Sequence, residues 1–127
     1  MLKILVILAA TGFFLNSGLH ALLIAGYPLG EYVLGGKYVR LPSKMKIVSA
    51  CFFLIWLVVG LSYLSYGQVL PDTVLGIFDK PLIILTTIFL FFAIFSNAFL
   101  TNSEKERKLM TPFCLIMFVL SCMILFM

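Results

Sequence analysis

The residues best suited to chemistry in this chain are a few polar side chains within otherwise apolar sequence. Asn16 and His20 are four residues apart, so a helix would place both on one face. His20 is the single histidine, the residue type whose charge changes near neutral pH, and Glu31 follows it closely along the chain. His20 and Glu31 could share a proton or do acid–base work on a lipid-like substrate. Bonding between helices and binding of a small ligand are the other roles open to such residues.

The elements that must position these residues are membrane helices. Of the 127 residues, 63% are hydrophobic and 11% are charged, and the mean hydropathy is +1.18. Soluble domains carry about 25% charged residues, and a chain this short has too little interior to bury its apolar excess. The excess must therefore face lipid. We expect an all-α integral membrane protein, with a single transmembrane domain over 1–127 that forms an antiparallel bundle of four helices.

Four stretches have the length of a membrane span, which is about 20 mainly apolar residues. They are predicted at about 2–25, 47–66, 81–100 and 109–127. The start of the fourth helix is open between two alternatives. Ser103 and Glu106 fit a capping box, which would place Pro112 inside the helix. Alternatively, Thr111 caps a helix that begins with Pro112.

The basic residues predict an orientation. The connectors at 26–46 and 101–108 contain seven of the nine lysines and arginines, whereas Lys3 and Lys80 lie on the opposite side. Short cytoplasmic loops are enriched in these residues. We therefore expect both connectors in the cytoplasm and both termini outside. The net charge of +4 then indicates contact with the bilayer and with anionic lipids at the cytoplasmic face, and no nucleic-acid partner is expected.

The first connector, GYPLGEYVLGGKYVRLP at 26–42, differs from the rest of the chain. It contains four of the nine glycines, two of the five prolines and three tyrosines around an apolar interior. Glycine and proline mark helix ends and turns. The turn residues are predicted to be Gly26, Pro28, Gly30, Gly35, Gly36 and Pro42. This composition predicts an ordered interfacial or shallowly re-entrant segment that covers the cytoplasmic end of the bundle.

The segment GYPLGEYVLGGKYVRLPSKMKIVSA, at 26–50, also resembles one that recurs in an uncharacterised family of small bacterial four-helix membrane proteins. The shared pattern is a glycine–proline–glycine element, paired glycines, and a leucine–proline step before basic residues. The matching positions are Gly26, Pro28, Gly30, Gly35, Gly36, Leu41, Pro42, Lys44 and Lys46. The resemblance implies a multi-pass protein of the bacterial cell membrane, and it implies no activity.

Depth counting predicts a polar layer beneath this connector. Helical rise places His20 about 7–8 Å, and Ser49 and Asn97 about 5–6 Å, from the cytoplasmic ends of their helices. We expect Asn16, His20, Ser49 and Asn97 to face one another, with Glu31 above them, as a candidate ligand site. One histidine, one nearby glutamate and three cysteines at different levels do not form a metal-ligand set, so no metal site and no cofactor is expected.

Three functions fit these observations. The preferred hypothesis is a helix-packing or interaction module, acting as an accessory subunit or as a homo-oligomer, because four short helices leave little room for a path through the protein. The alternative is a transporter or binder of a small amphipathic or lipid-like ligand in the polar layer. The third is a membrane enzyme using His20. No nucleophile–base spacing, phosphate-binding loop or carboxylate pair predicts a catalytic site.

Overall fold

The computed structural model describes residues 1–71 and 76–127, and its regular structure is helical throughout that part. The elements are α1 (Leu2–Ile24), α2 (Ser43–Tyr66), α3 (Asp79–Phe95), a π-helical continuation of α3 (Ser96–Leu100), and α4 (Glu104–Leu125). Four helices are long and apolar enough to cross a membrane. The prediction of an all-helical chain with four such helices is confirmed.

Three of the helices begin earlier than their apolar stretches. α2 begins at Ser43, α3 at Asp79 and α4 at Glu104, whereas the apolar stretches suggested 47, 81 and 109. Hydropathy marks only the part of a helix that suits lipid, and a polar first turn extends beyond it. α1 ends at Ile24 and α4 at Leu125, close to their predicted ends. The second predicted connector, 67–80, lies partly outside the described residues.

The start of α4 follows the capping-box alternative. Ser103 is the N-cap, and its Oγ accepts a hydrogen bond from the backbone N–H of Glu106 at 3.3 Å. Pro112 therefore lies inside the helix. A proline at this place has no N–H to donate to the carbonyl of Lys108, which loosens the third turn. The polar first two turns of α4 thus extend the helix beyond its apolar stretch, on the side of the first connector.

The helices pack mainly as two pairs, α1 with α2 and α3 with α4. Aromatic side chains form part of the core, and the contact of Trp56 in α2 with Phe89 in α3, with ring centroids 5.6 Å apart, joins the two pairs. Further aromatic contacts lie within the first pair. Phe13 of α1 stacks on Trp56 with ring centroids 5.5 Å apart, and it contacts Tyr63 at 4.9 Å. Because contacts between the pairs are fewer, space is left between them at the end where the first connector lies.

The first connector is folded. It contains two short 3₁₀ helices, Gly30–Tyr32 and Leu34–Gly36, and its backbone N–H at Gly30 donates to the carbonyl of Val39 at 2.8 Å. A Cβ at Gly30 would collide with the backbone carbonyl of Tyr38, so this close approach requires glycine. A small hydrophobic cluster lies beneath it, with buried Leu23, Val33 and Leu41 at its centre.

The connector is attached to the start of α4. The Ser103 hydroxyl donates to the backbone carbonyl of Glu31 at 2.5 Å, and Lys105 Nζ pairs with Glu31 Oε2 at 2.6 Å. Gly36 has a φ of +70° and lies against the Ser103 side chain so closely that a Cβ would not fit. The connector thus forms a cap across one end of the helices, held by α4.

Candidate functional site

A cavity of about 480 Å³ lies beneath the first connector, between the two helix pairs. All four helices, the connector and the π-helical segment contribute to its wall. The lining residues are Phe13, Asn16, His20, Tyr32, Val33, Leu34, Gly35, Phe52, Trp56, Phe89, Leu90, Phe92, Ala93, Ser96, Asn97, Glu106, Met110, Phe113 and Cys114. Most of the wall is aromatic or aliphatic, with a few polar groups at the connector end. This is the composition typical of a small-molecule site.

His20 lines this cavity and is fixed from behind by Ser49. His20 Nδ1 and Ser49 Oγ are 2.8 Å apart, and the Ser49 hydroxyl donates to the backbone carbonyl of His20 at 3.3 Å. The hydroxyl has one hydrogen to share between Nδ1 and that carbonyl, so the two contacts hold the ring without assigning its tautomer. No residue within 1–71 or 76–127 hydrogen-bonds to the other ring nitrogen, Nε2.

The His20 ring is also held by stacking. Its centroid is 5.2 Å from that of Phe52, with the planes 21° apart. His20 is 4% exposed and Ser49 is fully buried. The ring therefore has one hydrogen-bonded edge and one fixed face, which restricts it to a single orientation.

Asn16 and Asn97 line the same cavity from α1 and from the π-helical segment. Asn97 Nδ2 donates to Cys114 Sγ at 3.4 Å, a weak bond to a weak acceptor. In the π-helical segment the backbone N–H of Thr101 donates to the carbonyl of Ser96 at 3.1 Å. That wide turn carries Asn97 and is a feature often found near functional sites.

Two residues of the predicted site lie outside the cavity lining. Ser49 is behind His20, and Glu31 points to Lys105 on the outer side of the connector. The Glu31 side chain is 35% exposed, whereas the residues that follow it, 32–35, line the cavity. The structure therefore brings Asn16, His20 and Asn97 to one cavity, and it gives Glu31 and Ser49 supporting positions.

Glu106 lines the cavity, whereas its spacing from Ser103 in the sequence predicted only a place in a capping box. Its side chain is 7% exposed. Oε2 accepts from the Thr101 hydroxyl at 3.0 Å, and the backbone N–H of Gly35 also hydrogen-bonds to the carboxylate. In a capping box this carboxylate would bind the N-cap amide, but here Thr101 Oγ1 accepts from the Ser103 N–H at 3.2 Å. The signal in the sequence was Thr101, two residues before the N-cap. Because its hydroxyl can accept from the N-cap amide, the Glu106 carboxylate is left free for another role.

The cations of the described part of the chain lie away from the Glu106 carboxylate. The ion pair found there joins Lys105 to Glu31, and no lysine, arginine or histidine nitrogen lies within 4.0 Å of the Glu106 carboxylate. Its partners are instead a hydroxyl and a backbone amide. The cavity wall thus contains a buried carboxyl group that is hydrogen-bonded but not paired with a positive charge.

Within 1–71 and 76–127, no group of three His, Cys, Asp or Glu side chains is arranged to hold a metal ion. The three cysteines are free, with Cys51 exposed, Cys114 buried and Cys122 half-buried.

Comparison of the chain with protein-family models, with curated proteins and with solved structures gave no match. The resemblance of 26–50 to a bacterial family stays a prediction.

Proposed function

We propose that this protein is a multi-pass membrane protein that binds a small amphipathic ligand in the cavity beneath the first connector. The cavity itself is the observation that carries the proposal. Its volume of about 480 Å³ lies within the range of small-molecule sites, roughly 300–1,000 Å³. Its wall is aromatic and aliphatic towards the middle of the helices, and polar groups lie near the connector. A ligand with an apolar body and one polar end would fit that division.

This proposal replaces the preference for an interaction module. That preference depended on four short helices leaving little room inside the bundle, whereas the space between the two helix pairs favours ligand binding. An accessory subunit or homo-oligomer stays the second hypothesis. It is favoured by direct bonds between helices, such as those of His20 with Ser49 and of Tyr63 with Ser121.

We further propose that the helices form an antiparallel bundle in a bacterial cell membrane, with both termini outside and the cavity at the cytoplasmic side. Contact between the connector and the start of α4 supports placing the two basic segments on one side. Most of their basic side chains are exposed and available to anionic lipid headgroups. These exposed residues are Lys37, Arg40, Lys44, Lys105, Arg107 and Lys108.

Trp56 gives a direct test of ligand binding. It is the single tryptophan of the chain and it lines the cavity, so its fluorescence reports on that space. The protein would be purified into nanodiscs and titrated with bromophenyl amphiphiles, because bromine quenches tryptophan at close range. We expect quenching that saturates, in addition to the linear quenching that partition into lipid produces.

Two variants, one in α3 and one in its π-helical continuation, distinguish binding in the cavity from partition into the bilayer. Ala93→Leu adds bulk to the lining of the cavity and should abolish the saturable phase. Ala98→Leu makes the same change at a position that does not line the cavity and should retain it. Linear quenching of equal slope in the original protein and both variants would contradict the proposed function.

A further inference from the structure

We infer that the ligand bound in this cavity is an organic cation, an amphipathic amine whose ammonium group lies against the Glu106 carboxylate. The inference depends on the proposed ligand-binding function and names the ligand class of that site. It is argued from the charge, the hydrogen-bonding capacity and the aromatic surface of the cavity wall.

The charge of the wall has one sign. Among the described residues that line the cavity, Glu106 is the one carboxylic acid, none is a lysine or an arginine, and His20 is the one imidazole. Its carboxylate is buried beside neutral partners, the Thr101 hydroxyl and the Gly35 amide. A buried charge without an opposite charge is costly, and a bound cation would remove that cost.

The hydrogen-bonding groups of the wall include acceptors for an ammonium group. The Glu106 carboxylate lines the cavity and is a charged acceptor with no donor of its own when ionised. The carbonyl oxygen of Asn97 is also available, since its amide nitrogen donates to Cys114. An ammonium group has three donors and no acceptor, so it matches this wall. A phosphate or carboxylate headgroup would meet like charge at Glu106.

The aromatic part of the wall suits the same ligand. Trp56 and Phe89 have ring centroids 5.6 Å apart, with planes at 57°, and the Phe52 ring lines the same cavity and stacks on His20. Aromatic faces attract cations and also cover an apolar body. Together with Glu106, these rings provide both parts of a site for an aryl or alkyl amine.

The test compares three probes that share one bromophenyl group and differ in the polar end: an amine, an alcohol and a carboxylate. Each would be titrated at neutral pH against Trp56 fluorescence in nanodiscs of zwitterionic lipid, so that the bilayer itself does not concentrate the amine. We expect the amine to bind about tenfold more tightly than the alcohol, the difference made by one charge-assisted hydrogen bond, and the carboxylate to bind most weakly.

Glu106→Gln should lower the affinity for the amine to that of the alcohol while leaving the alcohol nearly unchanged. Glu104→Gln is the matched control, because it removes the same charge from the same turn of α4 at an exposed position, and it should leave all three affinities unchanged. Should Glu106→Gln fail to fold, the order of the three probes on the original protein decides the question.

The outcomes of this test separate the two proposals. Saturable binding of the amine and the alcohol with equal affinity would mean that the Glu106 carboxyl acts as a neutral group, which overturns the cation inference and leaves ligand binding intact. Saturable binding of none of the three probes would overturn both. Preference for the carboxylate would overturn the inference and would assign an anion site.

Discussion

The Ser103 side chain makes two bonds that join the first connector to α4. Its hydroxyl donates to the Glu31 carbonyl at 2.5 Å, and its oxygen accepts from the backbone N–H of Glu106 at 3.3 Å. One atom therefore caps the helix and holds the connector over the cavity. The cap and the cavity wall should consequently respond together to a change at this position.

Ser103→Ala should lower the free energy of unfolding by about 1–2 kcal/mol, because it removes an N-cap bond and a second bond to a backbone carbonyl. Unfolding in mixed detergent micelles would measure the change. Ser43→Ala is the control, since Ser43 is exposed in the first turn of α2 and α2 has no side-chain cap. Equal losses of unfolding free energy from the two substitutions would contradict the role of Ser103 in joining the connector to α4.

Gly30→Ala should destabilise the protein by more than about 1 kcal/mol. An added Cβ meets the backbone carbonyls of Tyr38 and Val39, and backbone atoms cannot yield as a flexible side chain can. Gly18→Ala is the matched comparison, because a Cβ at that helical position meets no atom within 4 Å. The melting temperature should fall for the first variant and hold or rise for the second. A connector that acts only as a tether would show no difference between them.

The Tyr63 hydroxyl and Ser121 Oγ are 2.6 Å apart, and both residues are fully buried between α2 and α4. A double-mutant cycle with Tyr63→Phe and Ser121→Ala should give a coupling energy of about 0.6–1.7 kcal/mol, the range of such bonds in membrane proteins. Tyr66→Phe with Ser121→Ala should give none. Additive effects of the first pair would show that the bond contributes nothing.

Ser49→Ala and Asn97→Leu should separate packing from ligand binding. Ser49→Ala breaks a buried bond to His20 and should cost about 1 kcal/mol of stability. Asn97→Leu removes only a long bond to sulfur from a half-buried side chain, and its effect should stay below about 0.5 kcal/mol. Binding of the bromophenyl amine should nevertheless weaken in Asn97→Leu. The reverse pattern, with stability lost and binding unchanged, would favour the interaction-module hypothesis.

The topology prediction is tested by single cysteines in a cysteine-free background. Lys37→Cys and Gln68→Cys place thiols at exposed positions in the first and second connectors. An impermeant thiol reagent applied to intact cells should label position 68, and it should label position 37 only after the membrane is permeabilised. Labelling of position 37 in intact cells would reverse the orientation.

Hydropathy was sufficient for the number and class of the helices, because lipid requires long apolar stretches wherever a helix spans it. It could not locate the polar first turns of α2 and α4, which have no such requirement. For α4 the spacing of Ser103 and Glu106 predicted the observed start. Pro112 was equally compatible with a helix that begins at residue 112. Only the cap geometry chose between them.

The candidate site was predictable in part for a similar reason. Helical periodicity and depth were enough to bring Asn16, His20 and Asn97 to one level, since both depend only on the geometry of a helix. The partners of these residues depend on packing between helices. Neither the Asn97 bond to Cys114 nor the position of Glu106 under the connector follows from periodicity. The first depends on the π-helical turn and its packing on α4, and the second on the fold of the connector.

The wide turn at Ser96–Leu100 has a consequence for insertions and deletions. The hydrogen bond from the Thr101 N–H to the Ser96 carbonyl spans one residue more than an α-helical bond does. The turn therefore contains one residue more than an α-helical turn. Deleting Phe99, whose side chain is 77% exposed, would let the turn close with α geometry and leave the preceding part of α3 in place. Deleting Ile88 instead would rotate every later side chain of the helix by about 100°. A one-residue deletion should therefore be tolerated within Ser96–Leu100, and the same deletion in the middle of α3 should destabilise the protein.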